Sequence, residues 1–225
     1  MKLMKLDLLA PHQKYLTESG EEVPGVTTIV GATLGQSQAL SWWFWDQGRQ
    51  GTPWPIPDDK TEADLGKLIH ARVEAYLRGY DGIDPGGLDP DLIAKSDHGF
   101  ERFIARWESS DYKVLNSELQ MVSEVLRCGG TLDIEAECSK RGPGIVDIKS
   151  SKPYRDGRPY DKVLVQCGGY SRLRRETGEV RWVEVWRVGK GPKDAGDVYQ
   201  VKDLHACERA FESAVEHFCR LRKIG

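Results

Sequence analysis

No apolar run approaches the roughly 18 residues needed to cross a bilayer, and the amino terminus sets Lys2, Lys5 and Asp7 among short apolar stretches instead of building a signal peptide. A cytoplasmic protein without a membrane partner is expected. The five cysteines, Cys128, Cys138, Cys167, Cys207 and Cys219, are odd in number and include no Cys-x-x-Cys pair. That argues against a disulfide framework, a zinc site and an iron–sulfur cluster, and Cys207 and Cys219 read as small apolar core side chains. Low-complexity linkers and internal repeats are also missing. The 225 residues therefore read as one domain, with a helical part over about 24–110, a sheet and flanking helix over about 111–190, and a last helix over about 203–223. Nor is there a strong excess of charge: 32 Lys and Arg against 35 Asp and Glu give −3, which excludes a protein that coats nucleic acid through bulk charge.

The charge that is present is unevenly placed. Residues 139–190 hold 13 basic against 6 acidic side chains. Arg155, Arg158, Lys162, Arg172, Arg174 and Arg175 could meet phosphates there, or could be a solvated helix face with i,i+4 pairs.

Hydrophobic periodicity lays out the elements. Residues 1–30 suggest a hairpin or extended arm, with Thr27 or Thr28 capping a helix that begins near Ile29. Three tryptophans in Ser41-Trp42-Trp43-Phe44-Trp45 invite base stacking but more often form core. Leu65, Leu68, Ile69, Val73, Tyr76 and Leu77 recur at helical spacing over Thr61–Leu77, and Gly66, His70 and Glu74 form a stripe beside them. Glycine in mid-helix costs up to about 1 kcal/mol against alanine, so Gly66 implies a close approach by another group. Residues 81–90 read as a Gly/Pro-rich loop, Asp91–Glu108 as helix, and Lys113–Arg127 as a strand carrying Glu118 and Glu124. Gly129-Gly130 reads as the hairpin turn after it. Tyr160–Glu176 is a helix with Gln166 and Tyr170 one turn apart. A strand over Val180–Val188 and an amphipathic helix over Asp203–Lys223 complete an α/β sandwich.

Two strands carry residues that a core would not select. In Gly144-Ile145-Val146-Asp147-Ile148-Lys149-Ser150, Val146 and Ile148 share one face while Asp147 and Lys149 share the other, about 7 Å apart along the strand. In Thr131–Cys138, Leu132, Ile134, Ala136 and Cys138 fall on one side and Asp133 on the other. Antiparallel pairing around Lys140–Gly144 would let Asp133 and Asp147 converge on one hard cation. An ordinary ion pair on a solvated sheet face is the competing explanation for Asp147 and Lys149.

In order, Gly66-Lys67-Leu68-Ile69-His70, Ser117-Glu118, Gly130-Thr131-Leu132-Asp133, Val146-Asp147-Ile148-Lys149-Ser150 and Gln166-Cys167-Gly168-Gly169-Tyr170 resemble the PD-(D/E)xK nuclease superfamily. The similarity is to its RecB-like branch, which includes phage exonucleases and the mitochondrial genome maintenance exonuclease, and it spans about residues 24–188. Each piece is weak alone, and the order and spacing carry the resemblance. It implies a restriction-endonuclease-like α/β core, a mixed central β-sheet flanked by helices, with an N-terminal helical region. It also implies that Asp133 and Asp147 are metal-binding carboxylates, that the Ile148 carbonyl is a further ligand, and that Lys149 is catalytic. His70 would lie near or on the metal, Glu118 would match an upstream glutamate of that branch, and Gln166 and Tyr170 would contact nucleic acid; the uneven charge, and not the resemblance, adds Arg155, Arg158 and Arg174 to that surface. Leu132-Asp133 stands where the superfamily's name has Pro-Asp, as is usual in the branch. The four-cysteine cluster of its CRISPR-associated members is missing.

The same resemblance implies one or two Mg²⁺ or Mn²⁺ ions serving hydrolysis of DNA from a free end with single-stranded character, in phage or bacterial recombination, repair or replication, alongside phage recombination or replication proteins. The alternatives are a structure-specific or restriction-type endonuclease on the same fold, and a non-catalytic nucleic-acid-binding scaffold.

Overall fold

The computed structural model describes residues 2–6, 14–35, 49–50, 61–84, 86–154, 156–189, 191 and 193–222. Arg155 and the Ser41–Trp45 aromatic run lie outside the described residues. The elements are β1 (Leu3–Lys5), β2 (Tyr15–Leu16), β3 (Glu22–Val23), α1 (Val26–Thr33), α2 (Thr61–Leu77), β4 (Gly82–Asp84), α3 (Pro90–Ser109), β5 (Tyr112–Ser123), β6 (Cys128–Cys138), β7 (Gly142–Lys149), α4 (Asp161–Arg174), β8 (Trp182–Arg187), β9 (Asp197–Gln200) and α5 (Leu204–Arg222).

A mixed five-stranded sheet in the order β5-β6-β7-β8-β9 forms the centre. Only β7 and β8 run parallel, because α4 carries the chain back over the sheet between them; the other neighbours are antiparallel. Each sheet face is covered by its own helical layer. On one side α1, α4 and α5 supply Val26, Ile29, Val163, Cys167, Leu173, Phe211 and Val215, packed on Leu132, Ile145, Val183 and Val185. On the other, α2 and α3 supply Leu65, Leu68, Ile69, Phe103 and Trp107, packed on Ile134, Ala136, Val146 and Ile148. Burial on both faces explains the nearly continuous apolar reading of β7 and β8. The apolar stripe read over Thr61–Leu77 is the buried face of α2. Asp89 caps α3 by accepting from the Asp91 N–H at 3.0 Å, with Pro90 at its first position.

Several expectations are corrected. Gly82–Asp84 pairs in parallel with Leu3–Lys5, so part of the expected 81–90 loop is a strand. The N-cap of α1 is Gly25, not Thr27 or Thr28. The turn between β5 and β6 is built from residues 124–127, with Arg127 at φ +49°, whereas Gly129 and Gly130 lie inside β6. Those glycines answer a packing need: a Cβ would sit 2.3 Å from Tyr15 at Gly129 and 3.0 Å from Tyr170 at Gly130. Glu124 consequently leaves the strand, and its carboxylate accepts the Glu18 N–H.

Leu132 and Ile134, which strict alternation puts on one side, lie in opposite layers. The ladder pairs Ser117 with Ile134 and Leu119 with Leu132 in unbroken register, yet Glu118 and Asp133 between them do not pair. Glu118 takes the left-handed conformation, φ +51°. The two strands reverse their faces together at this point, and both acids are turned out of the ladder.

Candidate active site where two strands part

The β6–β7 ladder runs from Cys138↔Gly142 to Ile134↔Val146 and stops, while β7 continues beside β8 as far as Lys149↔Arg187. Past that fork, the Ile148 N–H finds the side chain of Asp133 instead of a backbone carbonyl, donating to Oδ2 at 2.6 Å. Asp133 thus closes the gap left by the diverging strands.

His70 reaches the same carboxylate from α2. Its Nδ1 is 3.4 Å from Asp133 Oδ1 and 3.8 Å from Glu118 Oε1. His70, Glu118 and Asp133 each place a ligand atom within 4.8 Å of the others, all half-buried, and this group could hold a metal ion. Asp147 lies outside that set. It is buried at 1% exposure, with Lys149 Nζ 2.9 Å from Oδ1 and 2.8 Å from Oδ2. The contact to Oδ2 lacks hydrogen-bond geometry, leaving that buried oxygen without a hydrogen bond among the described residues. The surface ion-pair explanation therefore does not describe Asp147, whose pairing is internal.

α2 can approach this closely because Gly66 faces the end of β7: a Cβ there would lie 3.0 Å from Ser150 Oγ. The glycine one turn before His70 is where helix and strand end meet.

The charges respond to this crowding. Burial disfavours the His70 cation, but Asp133 and Glu118 outweigh it and raise His70 to about 10. Burial works against the Asp133 anion too, yet His70, Lys149 and the Ile148 N–H hold it below the usual carboxylate range. Glu118 is pushed up, by burial first and then by Asp133. Burial raises Asp147 to about 6 despite the adjacent Lys149. Lys149 is itself raised: burial opposes its charge, and Asp147 and Asp133 prevail. In the protein alone, His70 and Lys149 are the cationic groups set against the Asp133, Glu118 and Asp147 carboxyls. A divalent cation fits the donors of the His70, Glu118 and Asp133 group, two carboxylates and one imidazole nitrogen.

Two clefts open from this centre. His70, Glu118, Gly66 and Glu74 line one of about 370 Å³. Lys149 and Gln166 line another of about 390 Å³, walled by Thr27 and Val30 of α1 and by the segment after β7. Gln166 Nε2 donates to the Tyr170 hydroxyl at 2.7 Å. Tyr170 itself is buried, which raises its pKa, so Gln166 is the member of that pair that faces the cleft.

The basic residues divide differently from expectation. The Arg174 guanidinium binds the buried Glu135 carboxylate at 2.8–2.9 Å and pins α4 to β6. Arg172 and Arg175 pair with Glu212 and Glu208. Arg158 is exposed and pairs locally with Asp161 at 2.7 Å. Sequence reasoning missed Arg187, which is 3% exposed, binds Asp194 and Asp197, and donates to the Ser151 carbonyl at 3.2 Å. It anchors the chain just beyond Lys149. An arginine within an apolar strand was the available signal.

No helix among the described residues is long and apolar enough to cross a membrane. No protein-family model matches the sequence, and no curated protein matches it. Similar solved structures include a candidate exonuclease from Eubacterium rectale, with TM-score 0.47 and 16% identity over 80% of this chain and 74% of that one. Another is LHK-Exo, solved with dAMP, with TM-score 0.41 and 10% identity over 89% of this chain and 93% of that one; LHK-Exo is an alkaline exonuclease from Laribacter hongkongensis.

Proposed function

We propose that this chain is a divalent-metal-dependent deoxyribonuclease that removes nucleotides from DNA ends. The observation that carries the reading is the fork between β6 and β7, where Asp133 joins His70 and Glu118 while Lys149 stands against buried Asp147. A structural core has no use for five ionisable groups at one point, since each costs desolvation that only pairing or a ligand returns.

Asp133, Glu118 and His70 would hold Mg²⁺ or Mn²⁺, as one ion or two, with Asp147 adjoining. When bound, the metal supplies Lewis-acid stabilisation of phosphoryl charge and acidifies water. The residues do the rest. Lys149 is fixed by Asp147 and places a permanent cation where negative charge grows on the phosphate. Asp147 holds that ammonium in position. Gln166, its amide already donating to Tyr170, offers its other face to the DNA backbone.

Cleavage of end-labelled single- and double-stranded linear DNA, compared with covalently closed circles in Mg²⁺ or Mn²⁺, tests the proposal. Ladders from linear DNA, none from circles and none in EDTA are expected. Equal cutting of circles would replace an exonuclease by an endonuclease, and intact DNA throughout would end the nuclease reading.

A further inference from the structure

The segment between Lys149 and α4 carries side chains that neither the core nor cation binding explains. Tyr160, the residue preceding α4, is 47% exposed. Tyr154 is buried and meets it edge to face, with centroids 5.6 Å apart at 87°. That contact fixes the Tyr160 ring while about half of its surface stays open. The Tyr154 hydroxyl and Ser151 Oγ are buried beside each other, out of reach of solvent. All three residues line the same 390 Å³ cleft as Lys149, Gln166 and Lys162. Lys162 forms no ion pair among the described residues, unlike Arg172, Arg174 and Arg175.

We propose that this cleft is a subsite for one unstacked nucleotide of a single DNA strand, its base lying on Tyr160 and its sugar–phosphate reached by Lys162. Aromatic stacking needs an open base face, and a nucleobase inside a duplex has none. The cleft has the volume of a small-ligand site, which suits one nucleotide and not a paired helix. Its place beside Lys149 rests on the nuclease reading, because that is what makes the adjoining phosphate the one cut.

Anisotropy of a labelled oligothymidylate, in EDTA and in Ca²⁺, tests the subsite through binding. Tyr160→Ala should weaken binding about 5- to 150-fold and Tyr160→Phe should leave it near wild type. Moving one abasic nucleotide along the strand should find one position that weakens the wild-type protein by the same factor and leaves Tyr160→Ala unaffected. No oligonucleotide binding by the wild-type protein, unchanged binding by Tyr160→Ala, or a Tyr160→Ala loss equal at every abasic position would overturn the subsite. The two readings fail separately. Position-dependent coupling without cleavage in Mg²⁺ or Mn²⁺ keeps the subsite and ends the nuclease, whereas cleavage without coupling does the reverse.

Discussion

The backbone N–H of Ile148 donates to the Asp133 carboxylate at 2.6 Å, a side chain standing in for the neighbouring strand. One aspartate therefore caps the sheet where it forks, contacts His70 on α2, and ties the site to the strand end that carries Lys149. The fold needs Asp133 as an acceptor, and the proposed chemistry needs it as an anion. Substitution separates the two.

Asp133→Asn keeps an oxygen for the Ile148 N–H and should fold with about 1 kcal/mol lost, while Asp133→Ala leaves that donor bare and should cost about 1.5–3 kcal/mol. Both should cut DNA at least about 100-fold more slowly. Urea denaturation and metal-dependent cleavage of the purified variants give the two readings. Wild-type cleavage by Asp133→Asn would remove Asp133 from the site.

His70 makes metal uptake a proton release. Its pKa is raised from 6.5 to about 10, so its stabilising contribution without metal is complete below pH 6.5 and lost as pH rises through about 10. Asp147, raised from 3.8 to about 6, adds a second loss as pH rises through that lower window. The metal-free protein should therefore lose stability with rising pH in both ranges. A metal needs the unprotonated imidazole, so binding at pH 8 should release about one proton per His70 and tighten toward pH 10. Calorimetry with Mn²⁺ in two buffers of different ionisation enthalpy measures the release. Equal heats in both buffers would rule out displacement of this proton.

How much of this could be read in the sequence depended on whether the backbone stayed regular. The alternation around Asp147 and Lys149, the α2 stripe and the Asp133–Asp147 hairpin were legible because strand and helix periods hold there. The reversal at Glu118 and Asp133 was not, because two strands changing faces together leave the register intact. Gly129-Gly130 imitated a turn because close packing on Tyr15 and Tyr170 and left-handed backbone select the same residue. Net basicity over 139–190 overstated the free cations, since the acids that neutralise Arg172, Arg174 and Arg175 include Glu135, Glu208 and Glu212, distant in sequence.

Arg174 is accordingly expected to matter for folding and not for DNA. Arg174→Ala leaves Glu135 charged and buried without its partner, and should cost about 3–5 kcal/mol. Cleavage per folded molecule and its salt dependence should match wild type at a temperature where the variant is folded. A salt slope reduced by about one would instead mark Arg174 as a phosphate contact.

Gly66 sets helix stability against access to the β7 end. Gly66→Ala gains about 1 kcal/mol of helix propensity but meets Ser150 Oγ at 3.0 Å. Alone it should change stability little. In a Ser150→Ala background the clash is gone, and Gly66→Ala should stabilise by about 0.5–1 kcal/mol. Gly66→Leu should push the helix from the strand and reduce cleavage at least about 10-fold, because displacement of positioning groups is costly in rate. A double variant no more stable than Ser150→Ala alone would place the constraint elsewhere.

Glu118 has an unfavourable backbone for its residue type, φ +51° in a strand, and a carboxyl whose charge burial disfavours. Left-handed backbone costs a non-glycine residue about 1–2 kcal/mol. A side chain retained under both penalties is one whose position is needed. Glu118→Gly should relax the backbone and stabilise the metal-free protein by about 1 kcal/mol, while removing one of three proposed ligands. Metal affinity should then fall about 10-fold or more, as for loss of supporting groups around a metal. Thermal denaturation with and without Mn²⁺ decides the matter: the variant should melt above wild type in EDTA and below it in saturating metal. A variant that melts lower in both conditions would show that Glu118 is held for the fold alone.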